Sequence, residues 1–129
     1  MKWYLVLALN FYSWQVFAMD FKKEAIIKID KDLSVEVHAS PSFQEKKMTT
    51  VLLKIAGKSN AKVKSFDAEM PEHMHGMITK ATPPKYDNKK KGYIVKGVKL
   101  HMPGHWLLKL KVDRSGKISE HNVSYQLAH

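Results

Sequence analysis

Two short segments of the chain concentrate methionine and histidine. The octet MPEHMHGM (residues 70–77) contains three methionines and two histidines, and the segment HMPGHW (residues 101–106) contains two further histidines. Thioethers are soft ligands that select Cu(I), whereas imidazole binds Cu(I), Cu(II) and zinc, so a site built from both indicates copper, and Cu(I) rather than Cu(II). The candidate metal ligands are therefore Met70, His73, Met74, His75, Met77, His101 and His105.

The octet is expected to form an extended loop, in which residues two apart face the same side. One face would then carry His73, His75 and Met77, and the other Met70, Glu72 and Met74. The alternative for the two histidines is hydrogen bonding within a polar loop. The alternative for Met70, which ends an apolar strand, is packing in the core.

The segment 101–106 contains a turn between two strands. Met102 ends an apolar strand and is expected to pack in the core, as is Trp106, for which a cation–π contact with bound Cu(I) is the alternative. His101 then points away from the core and His105 lies on the turn, so both are placed for solvent or for a ligand.

Period-two alternation of apolar and polar residues predicts an all-β domain. Seven strands are expected, over residues 33–39, 51–56, 62–70, 77–82, 93–101, 106–112 and 123–127. The inward-facing residues are expected to be Leu33, Val35, Val37, Val51, Leu53, Trp106, Leu108, Leu110 and Tyr125. A change of parity at Gly97 predicts a bulge, and Ser115-Gly116 predicts a turn. Short strands with frequent turns favour an immunoglobulin-like β-sandwich of about seven strands.

The strand count also predicts where the two segments lie. Successive strands of such a sandwich run up and down, so every second connection lies at the same pole. The octet is the third connection and the turn before Trp106 is the fifth. The two segments are therefore expected to meet at one pole.

Residues 1–18 are typical of an export signal. Lys2 is followed by an apolar run that is interrupted by polar residues, and Val16-Phe17-Ala18 resembles a cleavage site. Cleavage after Ala18 would leave a domain of residues 19–129 in the periplasm or another extracytoplasmic compartment. The alternative is an uncleaved N-terminal anchor, and only then is membrane contact expected.

The net charge narrows the choice of partners, and the absence of cysteine shows what must stabilise the fold. The chain has 22 Lys and Arg against 12 Asp and Glu, a formal charge of +10, and removal of Lys2 with the signal lowers it to +9. Outside the cytoplasm this charge favours an acidic protein face or an anionic surface over nucleic acid. Because the chain has no cysteine, its core must hold it without disulfides.

The motifs resemble those of the YtkA-like and FixH-like exported domains, over roughly residues 48–112. The matching residues are Met70, Pro71, His75, Gly76, Met77, Gly92, Tyr93, Met102, Gly104 and Trp106. The spacing departs from the family pattern at Gly92 and Tyr93, which are adjacent here. The resemblance implies an immunoglobulin-like sandwich, an extracytoplasmic location, and an association with copper handling or copper-oxidase assembly.

Enzyme motifs are missing from the sequence. It has no cysteine nucleophile, no serine in a nucleophile motif, no paired carboxylates and no glycine-rich phosphate loop. His38, His121 and His129 are isolated and are interpreted as ordinary surface or edge residues.

Two functions remain, neither of them enzymatic. The first is a copper-binding chaperone or copper-handling module that uses the His/Met loop. The second is a domain without metal that docks an acidic or membrane-associated partner.

Overall fold

A computed structural model describes residues 19–129, which fold into nine β-strands and one short 3-10 turn. The strands are β1 (Lys22–Lys28), β2 (Ser34–Ser40), β3 (Met48–Ala56), β4 (Lys62–Met70), β5 (His75–Gly76), β6 (Lys85–Asp87), β7 (Gly92–Lys99), β8 (Gly104–Arg114) and β9 (Lys117–Leu127). The 3-10 turn, Pro71–His73, lies between β4 and β5. The predicted signal segment and its cleavage site lie outside the described residues.

The strands form two antiparallel sheets, so the prediction of an all-β sandwich is confirmed. The first sheet has the order β1-β2-β3-β7-β6 and the second has the order β5-β4-β8-β9. With β1 set aside, these are the immunoglobulin orders A-B-E-D and C′-C-F-G. Among residues 19–129 there is no helix with the length and apolar character needed to cross a membrane.

The number of strands and the position of one of them differ from the prediction. The strand β1 was not expected, because its adjacent Ile26 and Ile27 break the alternation: Ile26 is exposed and Ile27 is buried. The strand expected over residues 77–82 does not form. This segment passes from β5 in one sheet to β6 in the other. Along the way the Thr79 hydroxyl donates to the Gly97 carbonyl at 2.7 Å, and the Thr82 N–H donates to the Lys96 carbonyl at 2.9 Å.

The core contains the side chains that the alternation placed inward. Eight of the nine are buried: Leu33, Val35, Val37, Val51, Leu53, Trp106, Leu108 and Leu110. The ninth, Tyr125, is half-buried against the core, and its hydroxyl donates to a Glu24 carboxylate oxygen at 3.0 Å. Burial and the neighbouring Glu24 raise the pKa of Tyr125 to about 12. This bond joins β1 of the first sheet to β9 of the second.

The bulge predicted at Gly97 is present in β7. Thr49 pairs with Val98 and Val51 pairs with Val95, so Lys96 and Gly97 together lie opposite one residue of β3. Gly97 has a φ of +80°, and a Cβ placed there would be 2.9 Å from the Lys80 carbonyl oxygen. The bulge therefore needs glycine both for its backbone conformation and for the close approach of the 77–84 segment.

Replacement of Gly97 by alanine should destabilise the fold by more than about 2 kcal/mol. A positive φ costs a residue with a Cβ roughly 1–2 kcal/mol, and the close contact with Lys80 adds to this. Gly116→Ala is the matched control, since its φ is +86° and no described atom lies within 4 Å of the added Cβ. Urea unfolding should show a larger decrease in the free energy of unfolding for Gly97→Ala than for Gly116→Ala. Equal losses would mean that the Lys80 carbonyl moves aside freely.

Candidate metal centre

The octet is not extended, so the expected division of its side chains between two faces is wrong. Pro71–His73 forms a 3-10 turn, and the proline stands at its start, where its fixed φ fits and its missing N–H is not needed. Met74 ends the turn in the left-handed conformation, with φ 52°, and its N–H donates to the Pro71 carbonyl at 3.2 Å. The left-handed residue reverses the chain, so that β5 returns alongside β4.

The return of the chain places His75 on the inner side of the second sheet. His75 pairs with Met70, and residues directly opposite in an antiparallel pair share a face. Met70 is 1% exposed and points into the core, so His75 lies at the core side. On its other edge, β4 pairs with β8, and Glu69 lies opposite Leu107. Because the two strands are antiparallel, the next position along β4, Met70, is beside Trp106. His75, Met70 and Trp106 therefore form a cross-strand row at one end of the sandwich.

Three imidazoles meet at this end, which we call the histidine pole. His101 follows β7 of the first sheet, and its ring centroid is 5.2 Å from that of His75. The His73 ring centroid is 5.6 Å from that of His75. Trp106 lies edge-on to both inner rings, 5.5 Å from His101 and 6.4 Å from His75. The prediction that the two segments meet at one pole is confirmed.

Hydrogen bonding within the cluster indicates which imidazole nitrogens are free. His75 Nδ1 is 3.1 Å from the Gly76 carbonyl oxygen, to which only a protonated nitrogen can donate. This tautomer leaves Nε2 with a free lone pair. His101 Nδ1 is buried and has no hydrogen-bond partner among the described residues. Burial, then the nearby His75 and Lys99, lower the pKa of His101 below its ordinary 6.5, which favours the neutral ring that a metal requires.

The methionines of the candidate set differ widely in accessibility. Met70 lies in the core beneath Gly104, where an added Cβ would be 3.1 Å from the Met70 methyl carbon. Met77 is half-buried and packs on the core, whereas Met74 is 93% exposed. Met102 also packs partly on the core, as expected, and its carbonyl accepts the Trp106 indole N–H at 3.0 Å.

His105 is not brought into the imidazole cluster. It precedes Trp106 in β8, so its side chain leaves on the opposite face of the strand. There its Nδ1 lies 2.7 Å from a Glu72 carboxylate oxygen. The hydrogen bond from His105 lowers the pKa of Glu72 below its ordinary value, and the charges of His105 and His73 act in the same direction. Sequence reasoning did not identify Glu72 as part of the site, because its partner lies 33 residues away.

Two of the histidines interpreted as ordinary edge residues have partners on their own strands. His38 Nε2 is 2.9 Å from a Glu36 carboxylate oxygen in β2. His121 Nε2 is 2.7 Å from the Ser119 hydroxyl in β9. Both therefore have local hydrogen bonds that account for them.

Nitrogen and oxygen ligands alone do not form a ready metal site in the described part of the chain. Among residues 19–129, no group of three or more histidine or acidic side chains is arranged to hold a metal ion. The histidine pole combines imidazoles with thioethers, and thioethers would have to complete a ligand set there. Comparison of the chain with models of protein families, with curated proteins and with solved structures finds no match.

Proposed function

We propose that this protein is an extracytoplasmic copper-binding module that takes one Cu(I) at the histidine pole. The observation that supports this most directly is that the His75 ring approaches the rings of both His73 and His101. In addition, the buried Nδ1 of His101 has no hydrogen-bond partner within residues 19–129. The resemblance to YtkA-like and FixH-like domains supports the same assignment. It also suggests a copper protein, or the assembly of a copper oxidase, as the destination of the metal.

The two inner imidazoles, those of His75 and His101, have features that are usual for metal ligands. A buried polar atom without a partner costs about 1–3 kcal/mol, and coordination of a metal would remove that cost for His101. A ligating histidine usually donates its second ring N–H to a carbonyl or carboxylate, which fixes the ring. His75 does so through the Gly76 carbonyl.

The surrounding side chains favour Cu(I) over zinc. Structural zinc sites use four ligands drawn from cysteine, histidine and carboxylate. The pole brings the His75 and His101 rings together, and a site completed there by thioethers would select Cu(I), because thioethers are soft ligands. Met70 and Met77 are candidates for a thioether ligand, because Met70 pairs with His75 across the strands and Met77 follows β5 directly.

Competition for Cu(I) with a chromogenic chelator tests the proposal. Residues 19–129 should withdraw one equivalent of Cu(I) from the chelator under reducing conditions, and zinc at the same concentration should not compete. Failure to withdraw Cu(I), or withdrawal of several equivalents with no saturation, would reject a defined site at the pole.

The affinity for Cu(I) should fall as the pH is lowered from 7 towards 5. A proton competes with the metal for each imidazole, and the ordinary imidazole pKa is about 6.5. The fall should be incomplete, because the pKa of His101 is lowered, so this ring stays neutral to lower pH, and because thioethers carry no proton. Chelator competition at a series of pH values measures the effect. An affinity that does not change across this range would assign the metal to the thioethers alone.

A docking domain without metal is the second candidate. Met74 and Ile78 are 93% and 80% exposed, and the chain without its signal segment has a formal charge of +9. Exposed apolar side chains on a domain with a net positive charge suit an acidic or membrane-associated partner. This function predicts normal docking after loss of the imidazoles, whereas the copper function does not depend on Ile78.

A further inference from the structure

We infer that Glu72 and His105 form a positioning pair, which holds the turn Pro71–His73 against β8 and so presents His73 to the other two imidazoles. The inference builds on the proposed function, since it assigns His105 to the orientation of a ligand and not to the metal itself. It rests on the 2.7 Å contact between His105 Nδ1 and the Glu72 carboxylate.

The turn that carries His73 has no packing of its own. None of its three residues is buried, and the residue before it makes no side-chain capping bond. The residue after it, Met74, is almost fully exposed. A segment with so few buried contacts has little to hold it in one conformation. The pairing of Met70 with His75 anchors the two ends of the turn, and a side-chain contact with the body of the domain would hold the exposed residues between them.

His105 provides that contact from a rigid element. It belongs to β8, which is paired on one side with β4 and on the other with β9, where His105 lies opposite Gln126. Glu72 is the middle residue of the turn, so its bond to His105 fixes the backbone directly before His73. The two ends of the bond are 33 residues apart in sequence, which makes it a tertiary link and not part of the local turn geometry.

The pair is suited to orienting a ligand more than to stabilising the fold. The Glu72 and His105 side chains are 60% and 35% exposed, and exposed ion pairs contribute little to the free energy of unfolding. Outer partners of metal ligands nevertheless change metal affinity by roughly 10- to 100-fold. Loss of the pair should therefore affect Cu(I) binding without a comparable effect on stability.

Single and paired substitutions test this inference. Glu72→Ala and His105→Ala should each weaken Cu(I) binding by about 10- to 100-fold, with the urea midpoint near that of the parent. His73→Ala should cause a similar loss, and adding it to Glu72→Ala should cause no further loss, because the ring is already misplaced. Glu72→Gln keeps an oxygen that can accept from His105 and should retain most of the affinity.

Glu69→Ala is the matched control, because it also removes a carboxylate, but from the neighbouring strand β4. The Glu69 carboxylate forms an ion pair with the Lys109 ammonium group and not with His105. NMR gives a second readout: Cu(I) should shift the His73 ring signals in the parent and not in Glu72→Ala. If the parent binds Cu(I) and Glu72→Ala binds it equally well, the positioning pair is wrong and the copper site stands. If the parent takes up no Cu(I), the proposed function and the positioning pair are both wrong.

Discussion

Replacement of His75 and His101 together by alanine is expected to lower the affinity for Cu(I) by well over 100-fold. The centroids of these two rings are 5.2 Å apart, and both rings lie on the inner side of the histidine pole. Loss of a residue that hydrogen-bonds to a metal ligand already lowers the metal affinity by roughly 10- to 100-fold. The loss of two direct ligands should therefore lower the affinity further. Chelator competition at neutral pH measures the difference.

The double variant should remain folded, which separates loss of the site from loss of the domain. Within residues 19–129 the buried nitrogen of His101 has no hydrogen-bond partner, so removal of this ring leaves no described group newly unpaired. The matched control is His38→Ala with His121→Ala, which also removes two imidazoles but takes them from Glu36 and Ser119 on other parts of the sandwich. Equal Cu(I) affinity in the two double variants would place the metal away from the pole.

The strands could be predicted from sequence wherever apolar and polar residues alternate strictly and only one face of the strand is buried. Val35 and Val37 in β2, and Leu108 and Leu110 in β8, are buried as their spacing requires. The change of parity at Gly97 marked the bulge, because an extra residue in a strand shifts every later side chain to the other face. The meeting of the two segments followed from the up-and-down course of the strands.

The detailed geometry of the site depends on features that leave no periodic signal. Met74 adopts a left-handed conformation, which residues other than glycine adopt only occasionally, and it converts the expected extended loop into a turn and a return strand. The bond between Glu72 and His105 joins residues far apart in the chain, and no local pattern encodes it. Residue type alone makes His105 a candidate ligand, whereas the structure places its side chain beside Glu72, on the face of β8 opposite to Trp106.

Replacement of Trp106 by alanine should lower the free energy of unfolding by about 3–5 kcal/mol, as is usual for a buried tryptophan. The side chain is completely buried, and its indole N–H donates to the Met102 carbonyl at 3.0 Å. Its removal leaves both a cavity and an unpaired carbonyl. Since small domains are stable by only about 5–15 kcal/mol, the variant should be close to unfolding at room temperature. Urea unfolding followed by circular dichroism measures the loss.

Two further variants separate the contributions of Trp106. Trp106→Phe keeps an aromatic ring in the core and loses the bond to Met102, so its loss should be smaller than that of Trp106→Ala. Tyr86→Ala removes an aromatic ring that is 52% exposed and should have little effect. Because Trp106 lies edge-on to His75 and His101, Trp106→Phe should also weaken Cu(I) binding if the indole orients these rings. A Trp106→Ala variant as stable as Tyr86→Ala would contradict the burial of this residue, and with it the placement of the imidazoles above the core.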